Sequence, residues 1–172
     1  MATLVLTIVG DDRPGLVDAL AGAVSDHGGN WEQSRMAHLA QKFAGILLVR
    51  VPDEQVDALR AALDAIHTDG LLHIMVEPGD EQPAPGHRLL RLELVGQDRA
   101  GIVHDIAHAL AERGVSIEEL ETGTRSASMG GGTLFHAEAT LLAPDTVPMH
   151  ELETALEALA NELMVDVQLA QE

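Results

Sequence analysis

The chain has 172 residues, of which 46% are hydrophobic, 2% are aromatic and none is cysteine. Acidic residues outnumber basic ones 28 to 10, for a formal charge of −18 at pH 7. The composition excludes disulfides and thiolate chemistry, and it argues against direct nucleic-acid binding, which needs a basic patch. No apolar run approaches the ~20 residues that cross a bilayer, and the start of the chain leads straight into a strand pattern. We therefore expect a cytoplasmic protein without a signal peptide or a membrane partner.

The sequence contains one unit twice. The stretch VGDDRPGLV at 9–17 returns 86 residues later as VGQDRAGIV at 95–103. After six extra residues in the second copy, Phe43 matches Phe135 and Pro52 matches Pro144. Between the copies lies PGDEQPAPG at 78–86, whose prolines and glycines oppose helix and sheet. The sequence predicts two domains, 1–77 and 88–172, joined by a linker over 78–87.

The elements follow the same order in both copies. Strand-like residues at 3–10 precede a helical apolar pattern at Leu16, Leu20 and Val24, which Gly28 ends. Strand patterns follow at 30–40 and 43–52, then a second amphipathic helix and a last strand at 71–77. The second copy repeats this order from 88 to 170. The predicted fold class is α+β, with two ferredoxin-like βαββαβ domains whose helices cover one face of antiparallel sheets.

The repeated turn joins a strand to the start of a helix. A helix N-terminus offers unpaired N–H groups and partial positive charge, and Gly15 or Gly101 would let a ligand approach the main chain. Asp12 and Asp98 would face the ammonium group of such a ligand, so the turn would suit a free amino acid. The alternative is structural, since Asp is a good helix cap and Gly is common in turns. The residues themselves leave both interpretations open.

Both copies resemble ACT domains, small regulatory modules that bind amino acids, through residues 11–30 and 97–116. The resemblance implies that such domains pair sheet to sheet and bind the amino acid near the β1–α1 turn. It also implies two sites, Asp12, Arg13, Pro14, Gly15, Leu16 and Asn30 in the first copy, and Asp98, Arg99, Ala100, Gly101, Ile102 and Ser116 in the second. Because Asn30 is longer than Ser116 and Ala100 replaces a proline, we expect the first site to bind better.

The resemblance also implies a function. It points to a non-catalytic amino-acid sensor that represses glycine cleavage genes through a DNA-binding activator protein, with no cofactor and with glycine or serine as the first ligand to test. The alternatives are a regulatory subunit of an amino-acid enzyme and a purely structural interaction module. Unpaired sheet edges make a homodimer one further expectation.

Two other features have simple interpretations. His104 and His108 have the i, i+4 spacing of metal ligands, but solvated histidines on a helix face are the favoured interpretation, and no metal site is expected. The glycine-rich stretch 123–133 lacks the lysine of a phosphate-binding loop, and we interpret it as a hairpin tip or a lid formed with Arg125, Ser126 and Ser128.

Overall fold

A computed structural model describes residues 1–79, 86–127 and 131–171. The chain divides into two compact units, Met1–Pro83 and Ala84–Glu172. Most of the predicted linker, residues 80–85, lies outside the described residues, as does Ser128 of the glycine-rich stretch.

The first unit consists of four strands and two helices in the predicted order. Its sheet has the strand order β2-β3-β1-β4, and each neighbouring pair is antiparallel. A short 3₁₀ turn, Asp53–Gln55, leads into the second helix. The elements are β1 (Ala2–Asp11), α1 (Leu16–Asp26), β2 (Asn30–Leu39), β3 (Lys42–Val51), α2 (Val56–Thr68) and β4 (His73–Pro78).

The second unit repeats this topology. Its antiparallel sheet has the order β6-β7-β5-β8, which is the order of the first sheet with each strand replaced by its repeat counterpart. The elements are β5 (His87–Gln97), α3 (Ile102–Ala111), β6 (Ser116–Ser126), β7 (Thr133–Pro144), α4 (Met149–Leu163) and β8 (Val165–Gln171). The predicted fold class, α+β with two βαββαβ units, is confirmed.

Each unit has its own hydrophobic core between one sheet face and its two helices. In the first unit, alternate β1 residues Leu4, Leu6 and Ile8 are at most 3% exposed and belong to one cluster with apolar residues of both helices. In the second unit Leu90, Leu92 and Leu94 play the same part. The helical pattern predicted from the sequence is confirmed, since Leu16, Leu20 and Val24 are all buried.

The opposite sheet faces of the two units differ in chemistry. Strand register places Val9, Ile46 and Met75 on the outer face of the first sheet, where their exposed fractions are 43%, 51% and 60%. The outer face of the second sheet also exposes Leu89 and Val95, but it carries Arg91 within 3.0 Å of Glu93 and 2.8 Å of Glu138. The repeats therefore share a core design but not an outer surface.

Gly10 and Gly96, the first glycines of the repeated motif, lie where another segment comes very close. A Cβ on Gly10 would lie 2.7 Å from the Leu71 carbonyl oxygen, and one on Gly96 would lie 2.8 Å from the Val165 Cα. Real Cβ atoms do not approach backbone so closely, so these positions need glycine for space. The second glycine of each motif, Gly15 or Gly101, has a different role.

Candidate functional site

Each repeated turn ends in a left-handed glycine that begins a helix. Gly15 has φ 92° and Gly101 has φ 95°, and their carbonyl groups accept the first helical bonds, from Ala19 N and Asp105 N at 2.9 Å. A Cβ on Gly15 would meet nothing within 4 Å, and one on Gly101 would meet only an Asp105 carboxylate oxygen at 3.7 Å. The space beside Gly15 is therefore open, whereas a carboxylate lies beside Gly101.

Neither aspartate of the motif caps its helix. The Asp12 carboxylate lies 3.6 Å from His38 Nε2, and no side-chain hydrogen bond caps α1 or α3 in the described part of the chain. The amides of residues 16–18 and 102–104 come before the first i→i−4 bond of their helices, so they have no partner within the helix. The described residues therefore show no aspartate cap at either helix, and the left-handed glycines fit a tight structural turn as well as a ligand site.

A hairpin holds each turn in place. Asp12 N donates to the Gln41 carbonyl at 2.9 Å, and Asp98 N donates to the Thr133 carbonyl at 2.8 Å. Gln41 and Thr133 are counterparts in the repeat, so the second turn is anchored as the first is. Sequence reasoning missed these anchors and His38, although the lengths of the predicted strands already bring the 40–41 turn opposite the end of β1.

The charged side chains around the turns have partners of their own. The Arg13 guanidinium donates to the Gly70 carbonyl at 2.6 Å, whereas Arg99 lies 3.6 Å from the Asp105 carboxylate. Lys42 hydrogen-bonds to the Asp11 carboxylate, and this bond together with the lysine charge lowers the pKa of Asp11 below its ordinary value. The first turn thus presents open amides beside an exposed Asp12, a combination that suits the two charged ends of an amino acid.

Not all of the residues expected at the sites lie together. In the first unit residues 12–16 are contiguous at the turn, with Leu16 buried and the others exposed. Asn30, however, pairs across the sheet with Arg50, which pairs with Thr3. The turn follows Asp11, eight residues further along β1, which at about 3.3 Å per residue is roughly 26 Å away.

The second unit shows the same separation. Residues 98–102 are contiguous at the turn and only Ile102 is buried, but Ser116 pairs with Leu142, which pairs with Leu89 at the far end of β5. Within a single unit, Asn30 and Ser116 are therefore not part of the turn site. The argument from Asn30 that the first site binds better loses its geometric basis.

The two histidines of α3 and the possibility of a metal site or a membrane span remain to be considered. The exposed rings of His104 and His108 stack with centroids 6.0 Å apart, and His108 Nε2 lies 3.6 Å from a Glu112 oxygen. Among residues 1–79, 86–127 and 131–171, no group of three His, Asp or Glu side chains has the arrangement of a metal site. No helix in those same ranges is long and apolar enough to span a bilayer.

Known proteins share this architecture. Residues 2–77 and 90–161 each match the ACT domain family. The chain is 26% identical to the glycine cleavage system transcriptional repressors of Escherichia coli (strain K12) and Shigella flexneri, over 93% of this chain and 85% of each relative. The crystal structure of an unknown protein from Galdieria sulphuraria superposes with a TM-score of 0.89 at 32% identity, covering 99% of this chain and 98% of that one. The chain therefore belongs to the ACT-domain family, with one ACT domain in each unit.

Proposed function

We propose that the protein is a non-catalytic regulator that binds small amino acids at the two repeated turns and represses glycine cleavage genes through a partner protein. One observation carries this proposal. In both ACT domains the helix after the turn starts at a left-handed glycine whose following amides have no side-chain cap among the described residues, and the space beside Gly15 is open.

The turn provides for both ends of an amino acid. A carboxylate at the helix start accepts charge-assisted bonds from backbone amides and gains from the helix dipole. The exposed carboxylate of Asp12 or Asp98 attracts the ammonium end. Glycine and serine are the first ligands to test because they have both charged ends and little else that needs room.

Two observations support a role in transcriptional repression: the similarity to glycine cleavage repressors and the strongly negative charge of the chain. At −18 the chain has the wrong sign for counterion release from DNA, so repression through a DNA-binding activator protein fits it better than direct DNA contact. A ligand changes this output only if it binds one state of the regulator better than another.

A thermal-shift screen of the twenty amino acids against the whole chain tests the sensing role. A ligand present at about 100 times its Kd adds roughly 2.7 kcal/mol to the free energy of unfolding. We expect at least one small amino acid to raise the melting temperature. If none of the twenty does so at millimolar concentration, the sensing role is refuted.

A reporter assay tests the output. The chain is expressed in an E. coli strain that lacks its own repressor and carries a glycine cleavage promoter fused to a reporter. We expect repression to return, and we expect purified protein alone not to retard the promoter DNA in a gel. Restored repression without binding to DNA supports a protein partner, whereas a retarded complex with protein alone contradicts it. A regulatory subunit of an enzyme would leave the reporter unchanged.

A further inference from the structure

The second unit has an open groove at the edge of its sheet, between α4 and β8. The groove has about 100 Å³ of space for water-sized groups, and one such group needs only about 10–15 Å³. Its lining combines three apolar side chains, Leu156, Val167 and Leu169, with the carboxylates of Glu153 and Glu157. Arginine joins a cationic guanidinium to a hydrocarbon stem, and this lining suits both parts.

In the described part of the second unit, the two carboxylates of the groove have no cation of their own. Glu153 and Glu157 lie one turn apart on α4, where like charges repel each other. Both are exposed, and neither forms an ion pair within residues 86–127 and 131–171. The unit contains no lysine, and its arginines have partners elsewhere or lie on β6 at the opposite edge of the sheet: Arg88, Arg91, Arg99, Arg113 and Arg125.

The first unit has an arginine at the corresponding place. Buried leucines align the second helices of the two units, Leu59 with Leu152 and Leu63 with Leu156. Arg60 therefore stands where the second unit has Glu153. The Arg60 guanidinium reaches the edge strand of the first sheet, where it donates a hydrogen bond to the Val76 carbonyl at 3.1 Å.

Strand register gives Leu169 the place of Val76. Leu6 pairs with Val76 in the first sheet, and its repeat counterpart Leu92 pairs with Leu169 in the second. The path from the second helix to the edge strand is thus the same in both units, but in the second unit it starts at Glu153. The first unit supplies an arginine to this path from its own helix, whereas the second unit has space and negative charge for an arginine from another molecule.

The edge position of β8 gives a second molecule a way to reach the groove. Among the described residues β8 pairs only with β5, so its other side has backbone N–H and C=O groups without a strand partner. Such an edge can accept an added strand. A residue of the added strand opposite Leu169 points to the same sheet face as Leu169, which is the face that packs on α4. Its side chain therefore enters the groove.

We propose that the groove between α4 and β8 binds an arginine of a partner protein, presented by an extended segment that adds to β8 as a strand. The guanidinium meets the carboxylates of Glu153 and Glu157, and the hydrocarbon stem lies on Val167 and Leu169. The proposal rests on the action through a partner protein proposed above, and it gives that partner its docking surface. The net charge of −18 favours the approach of a basic segment.

The experiment is an NMR titration of the whole isotope-labelled chain with the peptide acetyl-Thr-Val-Thr-Arg-Thr-Val-Thr-amide. The peptide places arginine and both valines on one face of a strand. We expect it to shift the amides of residues 165–171 and 153–157, and to shift those of β4 less, because Arg60 already reaches that edge. A peptide with the neutral isostere citrulline in place of arginine should bind about 3- to 10-fold more weakly.

Two variants of α4 form a matched pair. Glu153→Arg installs the residue of the first unit, and we expect it to weaken binding of the arginine peptide at least about tenfold. Glu162→Arg makes the same change of charge on α4 outside the groove, and it should keep the unmodified affinity. If Glu153→Arg folds poorly, Glu153→Gln replaces it, with an expected loss of about 3- to 10-fold.

Several results would overturn the proposal. The groove is not an arginine site if the citrulline peptide binds as tightly, if the peptide shifts no amide of β8, or if the two α4 variants behave alike. A second copy of this chain is the occupant if sedimentation shows a dimer and dilution alone shifts the β8 amides.

The reporter strain separates this proposal from the proposed function. We expect Glu153→Arg to lose repression and Glu162→Arg to keep it; repression by both variants would contradict docking of the partner in this groove. If the unmodified chain does not repress, the transcriptional role fails, and the peptide titration still decides whether the groove binds arginine.

Discussion

The helix α1 allows a matched test of its open start, because a left-handed glycine lies at each end. Gly15 has φ 92° at the start and Gly28 has φ 64° after the end. An added Cβ has no neighbour within 4 Å at Gly15 and meets only Pro52 Cγ, at 3.8 Å, at Gly28. Gly15→Ala and Gly28→Ala therefore carry the same kind of backbone strain without a clash.

The size of the stability effect follows from backbone conformation. Holding alanine in the left-handed region costs about 1–2 kcal/mol, and the lower entropy of the unfolded chain offsets about 0.5–1 kcal/mol of this. We expect each variant to lose roughly 1 kcal/mol. For a domain of this size that corresponds to a melting temperature about 4–8 °C lower.

Ligand binding should separate the two variants. At Gly15 the new methyl group occupies the approach to the open amides, and the loss of one charge-assisted bond weakens binding at least about tenfold. With glycine at about 100 times the unmodified Kd, the stabilisation falls from roughly 2.7 to roughly 1.4 kcal/mol. Gly28→Ala should keep the full response.

Thermal unfolding followed by circular dichroism, with and without glycine, measures both effects. An equal ligand response from Gly15→Ala and Gly28→Ala would refute the assignment of the site to the helix start. A large loss of stability in only one of them would contradict the account of strain.

Further predictions concern stability and charge. Gly96→Ala should lower the free energy of unfolding by about 1–3 kcal/mol in urea denaturation, because its Cβ would lie 2.8 Å from Val165 Cα. The control Gly22→Ala lies inside α1 with open space around the new Cβ, and it should raise the free energy of unfolding by about 0.5–1 kcal/mol. Equal effects of Gly96→Ala and Gly22→Ala would contradict the steric explanation for Gly96. Leu63→Ala should cost about 2–5 kcal/mol, whereas Leu39→Ala, at a side chain 79% exposed, should change little. Lys42→Met should raise the pKa of Asp11 in an NMR titration, because the lysine lowers it. A carboxyl group with a lowered pKa stabilises the folded state at pH values above its pKa in the unfolded chain, and this stabilisation disappears as the pH falls through its pKa in the folded state. An unchanged Asp11 titration in the Lys42→Met variant would contradict the interaction between Lys42 and Asp11.

The fold was predictable because the chain is duplicated, so that each local sequence pattern occurs in both copies and the second occurrence supports the first. Apolar spacing at Leu16, Leu20 and Val24 returned at Ile102, Ile106 and Leu110, and Gly28 and Gly114 both have the left-handed conformation expected after a helix. Local signals of this kind depend on neighbours in sequence, and these are visible without a structure.

The site was less predictable because it depends on contacts between distant residues. The same Asp-Arg-x-Gly pattern fits an aspartate cap and an uncapped turn, and only the structure shows that a left-handed glycine, without a side-chain cap, begins each helix. The family resemblance implies that Asn30 belongs to the site, but strand register puts it at the other end of the sheet.

The contrast between the two outer sheet faces bears on how the duplicated chain evolved. A hypothetical chain with two copies of the first unit would expose Val9, Ile46 and Met75 twice, and exposed apolar surface promotes aggregation. A chain with two copies of the second unit would present two surfaces crossed by ion pairs. The halves have thus become specialised and are no longer interchangeable, so an ancestral dimer of identical halves could not have had both of these surfaces at once.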